Sequence, residues 1–458
     1  MAFLKAKSVD ATTGSLLRKI IVYTIPLILS TLIQQLFNAI DIVVLGKMAD
    51  STAVASVSAT SAIVALIVNT FVGVSTGTRV VLARYVGAKD EKNSKSVADT
   101  SLVFALIMGA VIAAVGYFCS PWFLDIMNTP AACYDGALTY VRIYMMAAPF
   151  VLLYNFGSSI ITADGDTQRP LYYIMIAGAS NVILNIILCF LLKEKVAAVA
   201  IATVASQVIG SVLVSRRLVM VESVCRVNIK RLQLRISALG KVLAEGLPMA
   251  LVNALFPLSN LQIQSAINSY GVAATAGNGA AATIENVVVA FSGPFSTSGV
   301  VFFGQNIGAK NPQRVKKAFW IYMLLAVVIG GGVGVATYLT GRFWLSLMVG
   351  ADVAAIEFGL VRMFYTTFFY FVVAINGIFS SAILAHGYAM ASAINSVFSV
   401  FVFRFIWMQA LYPHHQTFAF VMACFVVSWA VTMLINIVMY ITIWHKYRKK
   451  MELSLCEE

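Results

Sequence analysis

A carboxylate inside an apolar run of membrane length is the feature of this sequence best placed to do chemistry. Residues 25–47, IPLILSTLIQQLFNAIDIVVLGK, are greasy enough to cross a bilayer, yet they contain Asp41. Thr31, Gln34, Asn38 and Asp41 are spaced by three, four and three, so on a helix they form one polar stripe. A charge at the centre of a bilayer costs at least about 2.5 kcal/mol, and such groups face a bundle interior or a wet cavity. Asp41 is therefore a candidate ion-coupling group of a transporter; the alternative is a carboxylate near the outer interface that is merely solvated. Glu285, in Thr283-Ile-Glu-Asn286, is a second acid in an apolar run. It could bind a cationic compound, act as a second protonation site, or pair with Arg362 or Arg404. Gln34, Asn38 and Asn155 are candidates for the lining of a substrate cavity. Arg142 and Arg404 also fall in apolar runs, where each reads as a structural pair or a snorkelling end. His386, His414 and His415 read as loop residues.

The elements that must position these groups follow from composition. Of the 458 residues 60% are hydrophobic and 11% charged, against about 25% charged in a soluble chain, and the mean hydropathy is +0.87. Such a chain would expose far too much apolar surface in water. Outer-membrane strands alternate polar and apolar residues. The runs here are continuous, so the fold class is all-α integral membrane. One span needs about 20 apolar residues. Runs near 20–46, 53–83, 98–121, 136–160, 170–192, 196–219, 242–268, 276–304, 316–340, 356–384, 388–411 and 417–444 give twelve transmembrane helices. The six cysteines form no CxxC and no Cys/His cluster, so metal and thiol chemistry have no support. Cys119 and Cys133 fall on one outer side, where a disulfide could form. With no Gly-x-x-x-x-Gly-Lys-Ser/Thr loop, the chain reads as neither an enzyme nor an ATP-driven pump, and no cofactor is expected beyond a coupling ion, H+ or Na+. The first residues lack an apolar signal core and are expected to form a short amphipathic lead on the cytoplasmic surface.

The net charge of +13 is not spread evenly. Lys and Arg crowd the segment before the first helix and those after the second, sixth, eighth and twelfth. The opposite connections hold only Lys47, Lys193, Lys195 and Arg342. The positive-inside rule places both termini in the cytoplasm. The basic balance is thus a membrane address, and no nucleic acid is expected as a partner.

The two halves repeat. Ser158-Ser-Ile-Ile-Thr-Ala-Asp-Gly165 aligns with Ser380-Ser-Ala-Ile-Leu-Ala-His-Gly387 at an offset of 222, and Pro26 aligns with Pro248 at the same offset. Tyr85-Val-Gly-Ala-Lys89 aligns with Asn306-Ile-Gly-Ala-Lys310 at 221. Six helices per half make a parallel repeat, with two lobes related by a pseudo-twofold along the membrane normal. The expected domains are an N-lobe over 1–220, a cytoplasmic linker over 221–241 and a C-lobe over 242–458. The partner of Asp41 at offset 222 is Ile263, so the helix 1 charge has no counterpart in the second half.

These residues resemble the multidrug and toxic compound extrusion (MATE) family, in the superfamily that includes lipid-linked polysaccharide flippases. Pro26 followed by Asp41 and Gly46 is similar to the family's first helix. Gly73-Val-Ser-Thr-Gly77 through Gly87-Ala-Lys-Asp90, Gly165-Asp-Thr-Gln-Arg-Pro170 with Asn181 and Asn185, Gly246-Leu-Pro248, and Gly304-Gln-Asn-Ile-Gly-Ala309 follow in the family's order. The resemblance implies a two-lobed exporter driven by inward proton or sodium flow. It matches Asp41 to the family's N-lobe carboxylate and implies that Asn181, Asn185 and Thr203 surround it; their alternative is hydrogen bonding between helices. Many members carry an Asp four residues after the second Asn, where this chain has Cys189. A lone carboxylate favours a proton over sodium.

The expected function is secondary export of organic, cationic compounds by alternating access, as a monomer in a bacterial cytoplasmic membrane. Its partners are a small organic substrate and the lipid bilayer. The alternative, flipping of a lipid-linked saccharide precursor, calls for a cavity lined with Arg and Lys, whereas Asp41 and Glu285 point to a cationic guest.

Overall fold

The computed structural model describes residues 8–48, 51–127, 129–221 and 223–456. The side chains of 38, 41–43, 45, 48, 51–54, 58–59, 61–63, 229 and 454–456 lie outside the description, Asn38 and Asp41 among them. The described residues form helices and short connections, with no strand. In chain order the helices are α1 (Leu16–Met48), α2 (Ser51–Gly87), α3 (Glu91–Ile126), α4 (Ala131–Met145), α5 (Ala148–Ala163), α6 (Gln168–Leu191) and α7 (Lys195–Met220). Then follow α8 (Ile236–Asn268), α9 (Val272–Gly308), α10 (Pro312–Leu339), α11 (Gly341–Val349), α12 (Val353–Ala385), α13 (Ala389–His414) and α14 (Phe418–Cys456). Eleven of them are long and apolar enough to cross a membrane. The bent pair α4 and α5, which meet at 47° ahead of Pro149, makes the twelfth span. The expected twelve-span membrane fold is present. Large side chains such as Phe118, Ile183, Phe190 and Leu434 are exposed, as a lipid-facing surface requires.

The helices outrun their apolar runs. α2 has 37 residues and α3 has 36, because the apolar run marks only the hydrocarbon depth and the backbone stays hydrogen-bonded into the interface. Their ends are chemically specified. Asp90 accepts from the Asn93 amide at 3.0 Å to start α3, and Asn311 accepts from the Arg314 amide at 3.0 Å ahead of Pro312 to start α10. α2 and α9 close alike. The Asp90 amide reaches back to the Tyr85 carbonyl and the Asn311 amide to the Asn306 carbonyl, each at 3.0 Å. Lys89 (φ 55°) and Lys310 (φ 52°) take the left-handed position of this motif. Gly165 (φ 98°) and Gly387 (φ 91°) form another such pair. The sequence repeat is thus also a repeat of backbone conformation.

Contacts divide the chain into two units. The first holds 8–10 and 25–250 of the described residues; the second holds 11–24 and 251–456. Two helices change unit along their length, α1 beside Pro26 and α8 beside Pro248. In the first unit α8 crosses α2 with almost no side chain between them. A Cβ on Gly77 would lie 2.2 Å from the Val242 carbonyl oxygen, and one on Gly246 2.5 Å from that of Val74. In the second unit the opening turns of α1, Leu16–Thr24, pack on α9. The Tyr23 and Phe302 rings are 5.4 Å apart, and the Thr24 hydroxyl donates to Ser298 Oγ at 3.0 Å.

The segment before α1 differs from expectation. Its described residues 8–15 form turns, not an amphipathic surface helix. Ala11 is buried in the second unit: its amide donates to Gln305 Oε1, and its carbonyl accepts from Asn306 Nδ2 and Arg314 Nε. A free amphipathic lead would leave these polar groups without their partners. Cys119 and Cys133 are both free thiols, with no bridge between them.

Candidate functional site

Of the residues expected around Asp41, Asn181 and Asn185 lie on α6 and Thr203 on α7. Asn181 and Asn185 are buried, one helical turn apart, and Asn185 Nδ2 donates to Asn181 Oδ1 at 3.2 Å. Just before them, Gly178 receives the Phe37 ring of α1. A Cβ there would lie 2.0 Å from Phe37 Cδ2, so a larger residue would displace the ring from this seat. Asp41 follows Phe37 by one turn, and Asn181 follows Gly178 by three residues. Gly210 of α7 lies against Tyr154 of α5 and Ala177 of α6, which draws these three helices together. Thr203 and Asn155 direct their side chains to their own helices, donating to the carbonyls of Val199 (3.0 Å) and Val151 (2.8 Å). Gln34 is exposed. Cys189 is 2% exposed and packs with Tyr140, Val196 and Val199, and the Lys195 ammonium donates to its carbonyl at 2.5 Å.

Three ion pairs lie at the helix ends of this unit. Asp166 of the Gly-Asp-Thr-x-x-Pro stretch binds the Arg169 guanidinium, accepts from the Arg169 amide at 3.1 Å and lies 3.8 Å from Arg217. Glu245 accepts from Arg84 at 2.5 Å. Beside Asp166, burial pushes the Asp164 carboxyl up to about 6, against hydrogen bonds from Ser223 and Cys225.

The second unit carries a different arrangement. Glu285 on α9 accepts from Arg362 Nη2 at 2.8 Å, so the ion pair weighed for it in the sequence is present. Arg362 also donates to Asn278 Oδ1 at 2.6 Å. Arg404 departs from expectation: it is 1% exposed, so it does not snorkel, and it has no carboxylate partner among the described residues. Its Nε donates to Ser428 Oγ at 3.0 Å, its Nη1 to Asn260 Oδ1 at 3.2 Å, and its charge lies 4.6 Å from the centre of the Phe425 ring. Arg142 is half-buried and sits 5.2 Å from the Tyr117 ring. His386 ends α12, its Nδ1 2.7 Å from the Ala382 carbonyl, among Tyr440, Trp444 and Tyr447.

A chain of amides runs beneath. Asn395 donates to Asn436 Oδ1 (2.8 Å), Asn436 donates to Asn376 Oδ1 (3.2 Å), and Asn376 donates to the Trp429 carbonyl (2.8 Å). These three residues come from α13, α14 and α12, and no spacing in the sequence links them. Four π-helical segments interrupt this unit's helices: Ala326–Gly331, Phe364–Phe368, Val397–Val402 and Trp407–Leu411. None occurs among the described residues of the first unit.

Twelve spans, buried intramembrane amides and a membrane-embedded Glu–Arg pair define a polytopic membrane protein of the transporter class. The MatE family model matches residues 26–191 and again 248–408, starting 222 residues apart, and the chain belongs to this family of transporters. Among its relatives is the Bacillus subtilis (strain 168) protein named "Probable multidrug resistance protein YpnP", 25% identical over 87% of this chain and 89% of that protein. "FAD transporter" of Shewanella oneidensis is 26% identical over 60% of this chain and 62% of that protein. The fold matches a structure described as the outward-facing conformation of a multidrug resistance MATE family transporter, with TM-score 0.87 and 20% identity over 97% of this chain and 99% of that one.

Proposed function

We propose that this chain is a secondary exporter of organic compounds, coupled to a proton flowing inward and working by alternating access as a monomer. Asp41 is the coupling group, with Asn181, Asn185 and Thr203 around it. The observation that carries this reading is the buried Asn181–Asn185 pair directly after the point where Phe37 of α1 seats on Gly178. A carboxylate next to buried amides can gain and lose a proton. Sodium would need a fuller shell of oxygen ligands; Cys189 offers a thiol, and its carbonyl is taken by the Lys195 ammonium. Relatives named for multidrug resistance and multidrug export support drug-like cargo, and the relative named for FAD means that the family alone does not fix its charge. With Glu285 neutralised by Arg362, a cationic cargo rests on Asp41 and on Gln34, Asn38 and Asn155 near it in the sequence. The expected location is a bacterial cytoplasmic membrane.

The test is ethidium efflux from energised cells lacking their own exporters, with wild type and Asp41→Asn compared at several pH values, with and without sodium. Export by wild type that depends on the pH gradient, not on sodium, and falls to background in Asp41→Asn is the expected result. Equal export by the variant would remove Asp41 from the mechanism, and sodium-dependent export would replace the proton.

A further inference from the structure

A groove of about 470 Å³ opens on the surface of the first unit between α5 and α7. Phe150 and Leu153 of α5 and Val212, Val219 and Met220 of α7 make its apolar walls. Val212 is 57% exposed and Met220 63%, so the groove lies open to whatever surrounds the helices. Its α7 wall runs from Ser211 to Met220, about 14 Å at about 1.5 Å per residue. That is close to half of a hydrocarbon core about 30 Å thick, which is the depth of one leaflet. α7 ends at Met220, so the groove reaches the membrane face at the side where the basic clusters lie.

Charge gathers at that end. Arg216 lines the groove one turn before Met220 and is exposed. Its neighbour Arg217 is committed to Asp166. Beyond the groove the lining turns polar. Val219 also borders a hollow of about 590 Å³, walled by Glu91 and Lys95 at the start of α3 and by Ser223, Arg226 and Asn228 after α7. Arg226 Nε donates to the Val219 carbonyl at 3.3 Å, which ties this second guanidinium to the end of α7. Glu91 is the one acid in the lining, and Lys95 also feels the buried Asp99 one turn along α3. Neither Arg216 nor Arg226 forms an ion pair among the described residues.

We infer that this surface holds an anionic phospholipid of the adjoining leaflet: an acyl chain in the α5–α7 groove, the phosphate on Arg216, the headgroup toward Arg226 and Lys95. Three properties coincide here. The groove is apolar and one leaflet deep, a guanidinium stands where a chain would meet its headgroup, and a polar hollow follows. An arginine four residues from a helix end can lay its stem along an apolar wall and present its charge at the interface. A guanidinium takes phosphate oxygens through two N–H bonds. Basic pockets between membrane helices on the cytoplasmic side hold anionic headgroups, and the positive-inside rule puts this end of α7 on that side. Lipid bathes every span, but Arg216, Arg226 and Lys95 against the single acid Glu91 select for negative charge. The site rests on the membrane fold and not on the export reading.

The experiment is native mass spectrometry of the full chain, purified in a neutral detergent and titrated with phosphatidylglycerol or with phosphatidylethanolamine. Wild type is expected to retain phosphatidylglycerol at lower lipid concentration. Arg216→Gln should weaken that retention about fivefold. Val212→Trp, which sets an indole in the groove, should weaken it several-fold. Lys450→Gln removes an exposed cation from the same basic side and should leave it unchanged. Arg216 and Val212 are both exposed, so each variant should melt like wild type, and either one alone keeps the test alive. Equal retention of the two lipids overturns the proposal, as does unchanged affinity in both Arg216→Gln and Val212→Trp. A loss in Lys450→Gln as large as in Arg216→Gln overturns it too, since the attraction would then be diffuse. Displacement of the lipid by glycerol phosphate at matching concentration would make the occupant a soluble phosphate, which also overturns it. A wild type that retains phosphatidylglycerol yet exports no ethidium would sink the export reading and leave this site standing.

Discussion

Lys89 and Lys310 hold a left-handed backbone conformation at two exposed helix ends. A side chain there is disfavoured by about 1–2 kcal/mol relative to glycine, offset in part by a cation at a helix C-terminus. Lys89→Gly and Lys310→Gly are each expected to stabilise by up to about 1 kcal/mol, read as a higher melting temperature in detergent; a lower one would mean that the charge matters more than the strain. Asp164 makes a pH-dependent statement. Burial holds its folded carboxyl near 6, above the usual unfolded value of about 3.9. The folded state therefore binds the proton more tightly, and stability falls as pH rises from about 4 to about 6, then stays at the lower level. Asp164→Asn should flatten that part of a melting-against-pH profile, and a profile with the same slope would remove Asp164 from it. Residues differed in how far they could be read from sequence. Asp41 and Asn181 stand out because polar groups in an apolar run are conspicuous. The surroundings of Arg404 do not, since Asn260, Phe256, Phe425 and Ser428 come from distant stretches and none is an acid that would mark a pair.

Among elements, the crossing of α2 on α8 depends on backbones touching. The carbonyl of Val242 lies where the Gly77 Cβ would be, at 2.2 Å, and a backbone atom within a helix cannot turn aside. Gly77→Ala is expected to destabilise by about 1–3 kcal/mol. The same change at Gly279, exposed on α9 with nothing within 4 Å of its Cβ, should stabilise by about 0.5–1 kcal/mol through helix propensity alone. Thermal unfolding of the two variants side by side tests whether space, not glycine itself, decides the sign. The amide chain of α12, α13 and α14 gives a third case. Asn436→Ala would strand buried partners on Asn395 and Asn376 at a cost of about 1–3 kcal/mol, and a melting temperature equal to wild type would show that the network relaxes or takes in water. The spans themselves were legible because hydropathy and length suffice to mark them. The π-helical segments and the bend between α4 and α5 were not, because π geometry has no compositional signature and Pro149 sits at a helix start, where it is also common without a bend.

At the scale of the whole molecule, the repeat was legible from a few residues. Pro26 and Pro248 are 222 apart, as are the starts of the two family matches. The same prolines flank the positions where α1 and α8 change unit, which a one-dimensional pattern cannot show because each helix is continuous in hydropathy. Orientation in the bilayer rests on charge. The basic clusters before α1, after α2, between α7 and α8, after α9 and in the last turns of α14 must share a side if the twelve spans alternate, with Lys193 on the other. Lys193, Lys230 and Lys449 are all exposed, so single cysteines at these positions report sidedness without disturbing packing. In intact cells of a cysteine-free background, a membrane-impermeant maleimide is expected to label Lys193→Cys. Lys230→Cys and Lys449→Cys should react only after the membrane is opened. Labelling of the last two from outside would invert the molecule and, with it, the direction in which its gradient drives transport. Labelling of all three would break the alternation of the spans, and the twelve-span count would fall with it.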